Sequence, residues 1–212
     1  MALELKQVTV RFDGTQLFEP VSLRVEPGMV TTVMGPSGCG KSTLLAAVVG
    51  DLAPVFSLSG DVVLGGQSLL NYPMEQRHIG LLYQDDLLFP HMNVGQNLGF
   101  ALSAGMPRQE RRARIADYLA LAGLEGYADR DVASLSGGQR ARVSLLRTLM
   151  AAPRAVLLDE PFSKLDTALR GQFRDWVFGT LKEGGIPALQ VTHDVEDCGD
   201  GPVYLLQEGR LA

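Results

Sequence analysis

The chain has 212 residues, 46% of them apolar and 20% charged, which excludes a disordered polymer and allows one substantial core or two small ones. With 19 basic against 24 acidic side chains the formal charge is -5, which argues against a broad nucleic-acid surface built on phosphate neutralisation. Two cysteines, Cys39 and Cys198, are too few for a disulfide framework and point to a reducing compartment.

In chain order, the start MALELKQVTV carries neither the basic segment nor the apolar stretch of a signal peptide, and no window reaches the roughly 18 apolar residues of a spanning helix. A soluble or peripheral protein is expected. Lys6–Val10, Val21–Val25 and Val30–Val33 cluster β-formers between Gly and Pro signals and predict strands of a mixed sheet. KSTLLAAVV, Lys41–Val49, follows a glycine-rich turn as an apolar helix, giving strand, loop and helix in the order of a nucleotide-binding unit. From about Asn93 to Met150 the period becomes helical, with Ile115, Leu119 and Ala122 on one face opposite Arg111, Arg112 and Arg114. After Pro153 the runs AVLLD, PALQVT and PVYLLQ, separated by a helical stretch from about Asp166 to Lys182, predict a parallel sheet. The expected architecture is therefore α/β, with one core formed by 1–84 and 153–212 and interrupted by a helical subdomain at 85–152.

Residues 35–42, GPSGCGKS, satisfy the phosphate-loop pattern. Side-chain-free positions such as Gly38 and Gly40 let successive N–H groups curl around a phosphate at a helix N-terminus. Lys41 would reach the β and γ phosphates of a nucleotide as a compact cation, and the Ser42 hydroxyl would give one oxygen to Mg²⁺. AVLLDE, 155–160, is an apolar strand ending in two carboxylates, at the strand end where open α/β sheets present ligands. Asp159 would hold the Mg²⁺ shell, and Glu160 would accept the proton of an attacking water. His78 and His91 lack metal-ligand spacing to any other His or Cys, so no zinc site is expected.

LSGGQ at 135–139, THD at 192–194 and Gln84 after the strand IGLLY complete a set that, across essentially the whole chain and in family order, resembles the ABC ATPases. The resemblance implies a P-loop NTPase core with an inserted helical signature subdomain. It makes Gly35, Pro36, Ser37, Gly38, Cys39, Gly40, Lys41, Ser42 and Thr43 the Walker A loop, VLLDE the Walker B strand and SKLD the D-loop. Glu160, His193 and Gln84 become the catalytic set, with His193 as switch histidine, and Ser42, Gln84 and Asp159 the Mg²⁺ contacts. Phe12 lies where the family places an adenine-stacking aromatic. One phosphate loop covers one side of ATP. The resemblance has the signature of another copy, through Ser136, Gly137, Gly138 and Gln139, close the other side, so a dimer of ATPase subunits is implied.

DDLLFPHMNVGQNLGFAL, 85–102, resembles importer ATPases for iron, polyamines, thiamine, sulfate and sugars. That implies an ATP-hydrolysing subunit that energises solute import. Its partners would be transmembrane permease subunits and a separate solute-binding protein, and it would lie peripherally at the cytoplasmic face of the inner membrane. Leu87, Leu88, Phe89, Met92 and Val94 offer an apolar surface for a permease helix. An exporter ATPase and a soluble ABC ATPase that moves no solute are the alternatives; the long coiled coil or duplicated unit of the soluble kinds has no counterpart in these 212 residues. Nor has the β-rich regulatory domain of many importer subunits, so regulation of that type is not expected. The helix that the resemblance implies after His193 is about two residues shorter here and carries Gly199, Gly201 and Pro202, all poor helix formers, so the sequence leaves the local structure open.

Overall fold

Alternating burial builds the first strands. Leu3, Leu5, Val8 and Val10 of β1 (Leu3–Phe12) are buried, as are Val21, Leu23 and Val25 of β3 (Val21–Val25), while Ser22 and Arg24 face outward. The computed structural model describes residues 1–83 and 85–212, without the side chains of 167 and 168. It divides into two compact units, one of Met1–Leu81, Arg154–Glu160 and Phe178–Ala212, the other of Leu82–Pro153 and Pro161–Val177. The second unit thus includes the stretch 161–177, which the sequence boundaries of 85–152 left with the core.

The other elements, in order, are β2 (Thr15–Gln16), β4 (Val30–Met34), α1 (Lys41–Val49), β5 (Phe56–Leu64), β6 (Gln67–Ser68) and β7 (Ile79–Leu82). They continue with α2 (Val94–Phe100), α3 (Arg108–Leu121), α4 (Gly137–Met150), β8 (Ala155–Asp159), α5 (Thr167–Glu183), β9 (Ala188–Thr192), β10 (Val203–Gln207) and β11 (Arg210–Leu211). Among the described residues the strands form two sheets. In one, β1 pairs antiparallel with β2, β3 and β5, and β5 with β6. Its β1/β5 pairing shifts register between Lys6 and Thr9, where Gln7 and Gly60 take positive φ and Gly60 backs onto the Gln7 carbonyl. The second sheet has the order β11-β10-β4-β9-β8-β7, with β10, β4, β9 and β8 parallel and β11 antiparallel. Every residue of β8 and β9 is buried, the signature of a parallel sheet covered on both faces.

In the second unit α2, α3 and α4 pack on one another. Ile115, Leu119 and Ala122 face inward as their spacing predicts. Arg142 of α4 is buried and donates to the Ala122 carbonyl at the end of α3, and burial holds its guanidinium below its ordinary pKa. Among the described residues, no helix is long and apolar enough to cross a membrane.

After His193 only a single 3₁₀ turn, Val195–Asp197, replaces a helix. The chain then lies flat on β4: Gly199 N–H donates to Thr32 Oγ1, Gly201 N–H to the Val30 carbonyl, and Thr32 N–H to the Pro202 carbonyl. A Cβ on Gly201 would lie 2.6 Å from the Val30 carbonyl oxygen, and one on Gly199 would strike the Val30 side chain. Gly201→Ala is therefore expected to cost about 1–3 kcal/mol, read as a thermal midpoint about 2–4 °C lower per kcal/mol. An unchanged midpoint would mean the segment can lift off Val30 without loss.

Candidate functional site

β4 ends at Met34 and the glycine-rich turn begins. Gly35 is buried against the Leu206 carbonyl with no room for a Cβ, Gly38 takes φ +79, and Gly40 caps α1 in the left-handed region with the Phe18 ring behind it. The turn needs glycine at these places, for close approach at one and for φ at the others. Lys41 curls back, 7% exposed, and its ammonium donates to the Gly35 carbonyl at 2.7 Å and the Pro36 carbonyl at 2.8 Å. It is thereby fixed inside the loop it serves. The first α-helical bond runs from Leu44 N–H to the Gly40 carbonyl, so the N–H groups of Lys41, Ser42 and Thr43 have no carbonyl behind them within the helix. Pro36, Ser37 and Gly38 are exposed, and Cys39 is half-buried with Sγ 4.0 Å from the Lys41 ammonium. The loop presents donors and positive charge together, which suits a phosphate.

Asp159, at the end of β8, is 9% exposed. Burial pushes its carboxyl above the ordinary aspartate range, against the pull of a hydrogen bond from Ser42 and the charge of Lys41, while Glu160 adds to the rise. A hydroxyl and a carboxylate side by side are hard oxygen donors of the kind that hold one side of Mg²⁺, whose other positions are filled by phosphate and water. Among the described residues no cluster of three His, Cys, Asp or Glu side chains could hold a metal by itself. The donor set fits an ion shared with a phosphate and not a caged one.

Glu160 follows with φ +47, a backbone conformation strained for a non-glycine residue, while its N–H donates to the Val191 carbonyl. Its Oε1 lies 2.8 Å from His193 Nδ1, the histidine side chain being 60% exposed and the glutamate's 15%. With the carboxylate oxygen as acceptor, Nδ1 is the donor of the pair, which leaves Nε2 as the second working nitrogen. Thirty-three positions apart in sequence, these two become neighbours because β8 and β9 pair in parallel, with Asp159 beside Val191. Phe12 is 44% exposed at the end of β1, its ring 5.3 Å from that of Phe56. Gln84 lies outside the described residues.

In the second unit, Ser136 is the N-cap of α4. Its Oγ accepts from Gln139 N–H at 3.3 Å, and the Gln139 side chain accepts from Ser136 N–H at 3.0 Å, a reciprocal capping box. The Ser136 hydroxyl keeps its own proton to donate. A Cβ on Gly138 would press on the Lys164 carbonyl at 3.0 Å, whereas one on Gly137 would meet only the tip of Arg140 at 3.9 Å.

The segment proposed from sequence as a docking surface is divided in its roles. Val94 is fully buried and serves the interior, while Phe89 is half-buried, edge-on to Phe100 at 4.9 Å and with Arg147 over its ring. Leu87 is 56% exposed, and Met92 lines a groove of about 970 Å³ with Gly95, Gly99, Phe100, Ile115 and Ala116. Phe100, 65% exposed, was not singled out by sequence, since one aromatic at a helix end carries no pattern.

A family model described as ABC transporter matches residues 18–163. An ABC transporter ATP-binding protein of Escherichia coli K12, YnjD, is 50% identical over 193 residues, which are 91% of this chain and 89% of that protein. The Fe(3+) ions import ATP-binding protein FbpC of Streptomyces avermitilis is 45% identical over 215 residues, covering 100% of this chain. The chain spans 61% of that relative's length, and 56% of its E. coli K12 namesake's. Among solved structures, the ATP-binding cassette MJ0796, as a dimer in a post-hydrolysis state with ADP and Pi, matches with TM-score 0.85 and 28% identity. That match covers 99% of this chain and 96% of the other.

The raised pKa of Asp159 makes a testable statement about stability. A carboxyl whose folded pKa exceeds its unfolded value favours folding when protonated, and that contribution is lost as pH rises through the folded pKa. Asp159→Asn should therefore raise the thermal midpoint of the nucleotide-free protein at pH 7, and the gain should shrink on acidification toward the ordinary aspartate range. A midpoint lower than the parent's at pH 7 would mean that the Ser42 and Lys41 contacts outweigh desolvation.

Proposed function

The chain belongs to the ABC transporter family of ATP-binding proteins, and from that premise we propose that it hydrolyses ATP to energise solute import by a membrane complex. The observation that carries the reading is the 2.8 Å pair of Glu160 and His193 at the strand edge where the glycine-rich loop and Asp159 also end. Bound Mg²⁺ supplies divalent charge to the phosphate oxygens, and Ser42 and Asp159 are the donors this chain offers it. Lys41 exchanges its contacts with the Gly35 and Pro36 carbonyls for the β and γ phosphates, while the turn's N–H groups cradle the phosphates and Thr43 N–H contributes at the helix end. Glu160 takes the proton of the attacking water, and His193 orients that carboxylate through Nδ1 and donates from its other nitrogen to the γ-phosphate. Gln84 would add an amide oxygen toward Mg²⁺ and the attacking water, and Phe12 stacks the adenine on its exposed face.

The signature turn, Ser136, Gly137, Gly138 and Gln139, acts on the ATP of a second copy, offering a hydroxyl and backbone donors at a helix N-terminus. The dimeric, ADP-bound and phosphate-bound neighbour supports that arrangement. The groove beside α2 and α3 receives a helix of a permease subunit, which holds this chain at the cytoplasmic face of the inner membrane, and a separate solute-binding protein completes the importer. The names of the iron-import relatives support the direction of transport.

Glu160→Gln is expected to keep ATP binding and to lower turnover by about 10²–10⁴-fold, because the amide cannot take a proton. Hydrolysis at the parent's rate would refute the assignment of the base. Paired Met92→Ser and Phe100→Ser substitutions, both in the groove lining, should leave ATP hydrolysis by the isolated chain intact while abolishing co-purification with the permease. Full co-purification would move the docking surface off this groove.

A further inference from the structure

The turn Ser136–Gln139 is bracketed by two cations that converge on one carboxylate. Arg140 Nη1 donates to the Leu135 carbonyl at 2.8 Å, the peptide immediately before Ser136, while its Nε lies 3.4 Å from Asp86 Oδ2. On the other side the Lys164 backbone carbonyl abuts Gly138, and the Lys164 ammonium lies 3.7 Å from Asp86 Oδ1. The Asp86 side chain is 14% exposed, so its two pairs are screened less than ordinary surface ion pairs. The next residues are held from the same face of α4, two turns further on: Arg147 donates to the Leu87 carbonyl at 3.0 Å and covers the Phe89 ring. Residues 86–89 are thus a strap along the helix whose first turn is the signature.

We propose that Asp86 is a positioning residue for the signature, fixing through Arg140 and Lys164 the backbone on both sides of Ser136 and Gly137 for ATP-dependent pairing of two copies. The proposal rests on the reading of that turn as the surface that closes on the partner's ATP. Asp86 touches no nucleotide in this scheme. Its loss leaves the phosphate loop of its own chain unaltered, since Lys41, Ser42 and Asp159 are held by other contacts. A defect confined to pairing, with binding to the single chain preserved, is therefore its mark.

The test uses the full chain in the Glu160→Gln background, so that ATP is retained. Three quantities are read: ADP affinity of the single chain, the ATP concentration for half-maximal dimer by light scattering, and the thermal midpoint. Asp86→Asn should raise the ATP requirement about three- to tenfold, the scale of one or two partly shielded ion pairs, with ADP affinity unchanged and a midpoint lowered by no more than about 2–5 °C, which Asp86→Glu restores. Asp86→Glu should restore pairing. Arg140→Gln should reproduce the defect, and the double variant Asp86→Asn with Arg140→Gln should be no worse than either alone. If Asp86→Asn pairs like the parent while Ser136→Arg does not, the signature reading stands and the role of Asp86 is overturned. If Ser136→Arg also pairs like the parent, both fall. A lowered midpoint that Asp86→Glu does not rescue would make Asp86 a stability residue and overturn the proposal as well.

Discussion

In a parallel sheet the hydrogen bonds decide which residues stand side by side at the strand ends, and here they decide where the chemistry is. Met34 pairs with Thr192 and Asp159 with Val191. The residues that follow in each strand, Gly35, His193 and Glu160, therefore leave the sheet at one edge. A slip of one residue in β9 would turn His193 to the other side of its strand and separate it from Glu160, because side chains alternate with a period of two. The fully buried strands β8 and β9 resist that slip, since every apolar side chain along them already has its place.

That edge is also where local preferences are overridden. α1 points the positive end of its dipole at the glycine-rich turn, while at its other end buried Arg77 donates to the Val48 carbonyl at 2.8 Å and leaves no room for a Cβ on Gly50. The helix is thus satisfied at the end away from the edge and open at the end that meets it. Asp159 is buried with its carboxyl pushed upward, Glu160 sits at positive φ, and Lys41 is folded onto loop carbonyls. The first two cost stability, while the Lys41 ammonium is satisfied by its two carbonyl acceptors. Such a concentration of locally unfavourable choices is what a binding edge requires and a purely structural one would not keep.

How much was legible in sequence follows from whether a feature is local. GPSGCGKS could be read because close backbone approach and left-handed turns demand glycine at fixed offsets, and the α3 face could be read because Ile115, Leu119 and Ala122 repeat with the helix. The Glu160–His193 contact could be inferred only through family resemblance, since it depends on strand order. β5 has no counterpart in the sequence reading: Phe56–Ser59 alternate, but Gly60 and Asp61 interrupt the pattern, and pairing with β1 supplies what propensity does not. The burial of Arg77 and Arg142 has no signal in the sequence, and Val94 reads there as docking surface, because nothing in one dimension tells a helix end or a groove floor from solvent.

The two signature glycines separate what folding requires from what lies outside the fold. Gly138 is explained within the chain, because the Lys164 carbonyl approaches where its Cβ would be. Gly137 is not: it is the first residue of α4, with helical φ and nothing closer than 3.9 Å to an added Cβ. Glycine inside a helix costs about 0.5–1 kcal/mol relative to alanine, less at a helix end, and no contact within the described residues offsets it. A bare backbone N–H beside a capping hydroxyl at a helix N-terminus is suited to close approach by an anion too large to tolerate a methyl group. The contacts within the described residues thus account for Gly138 and not for Gly137, and under the proposed function the difference belongs to the phosphate of a second copy.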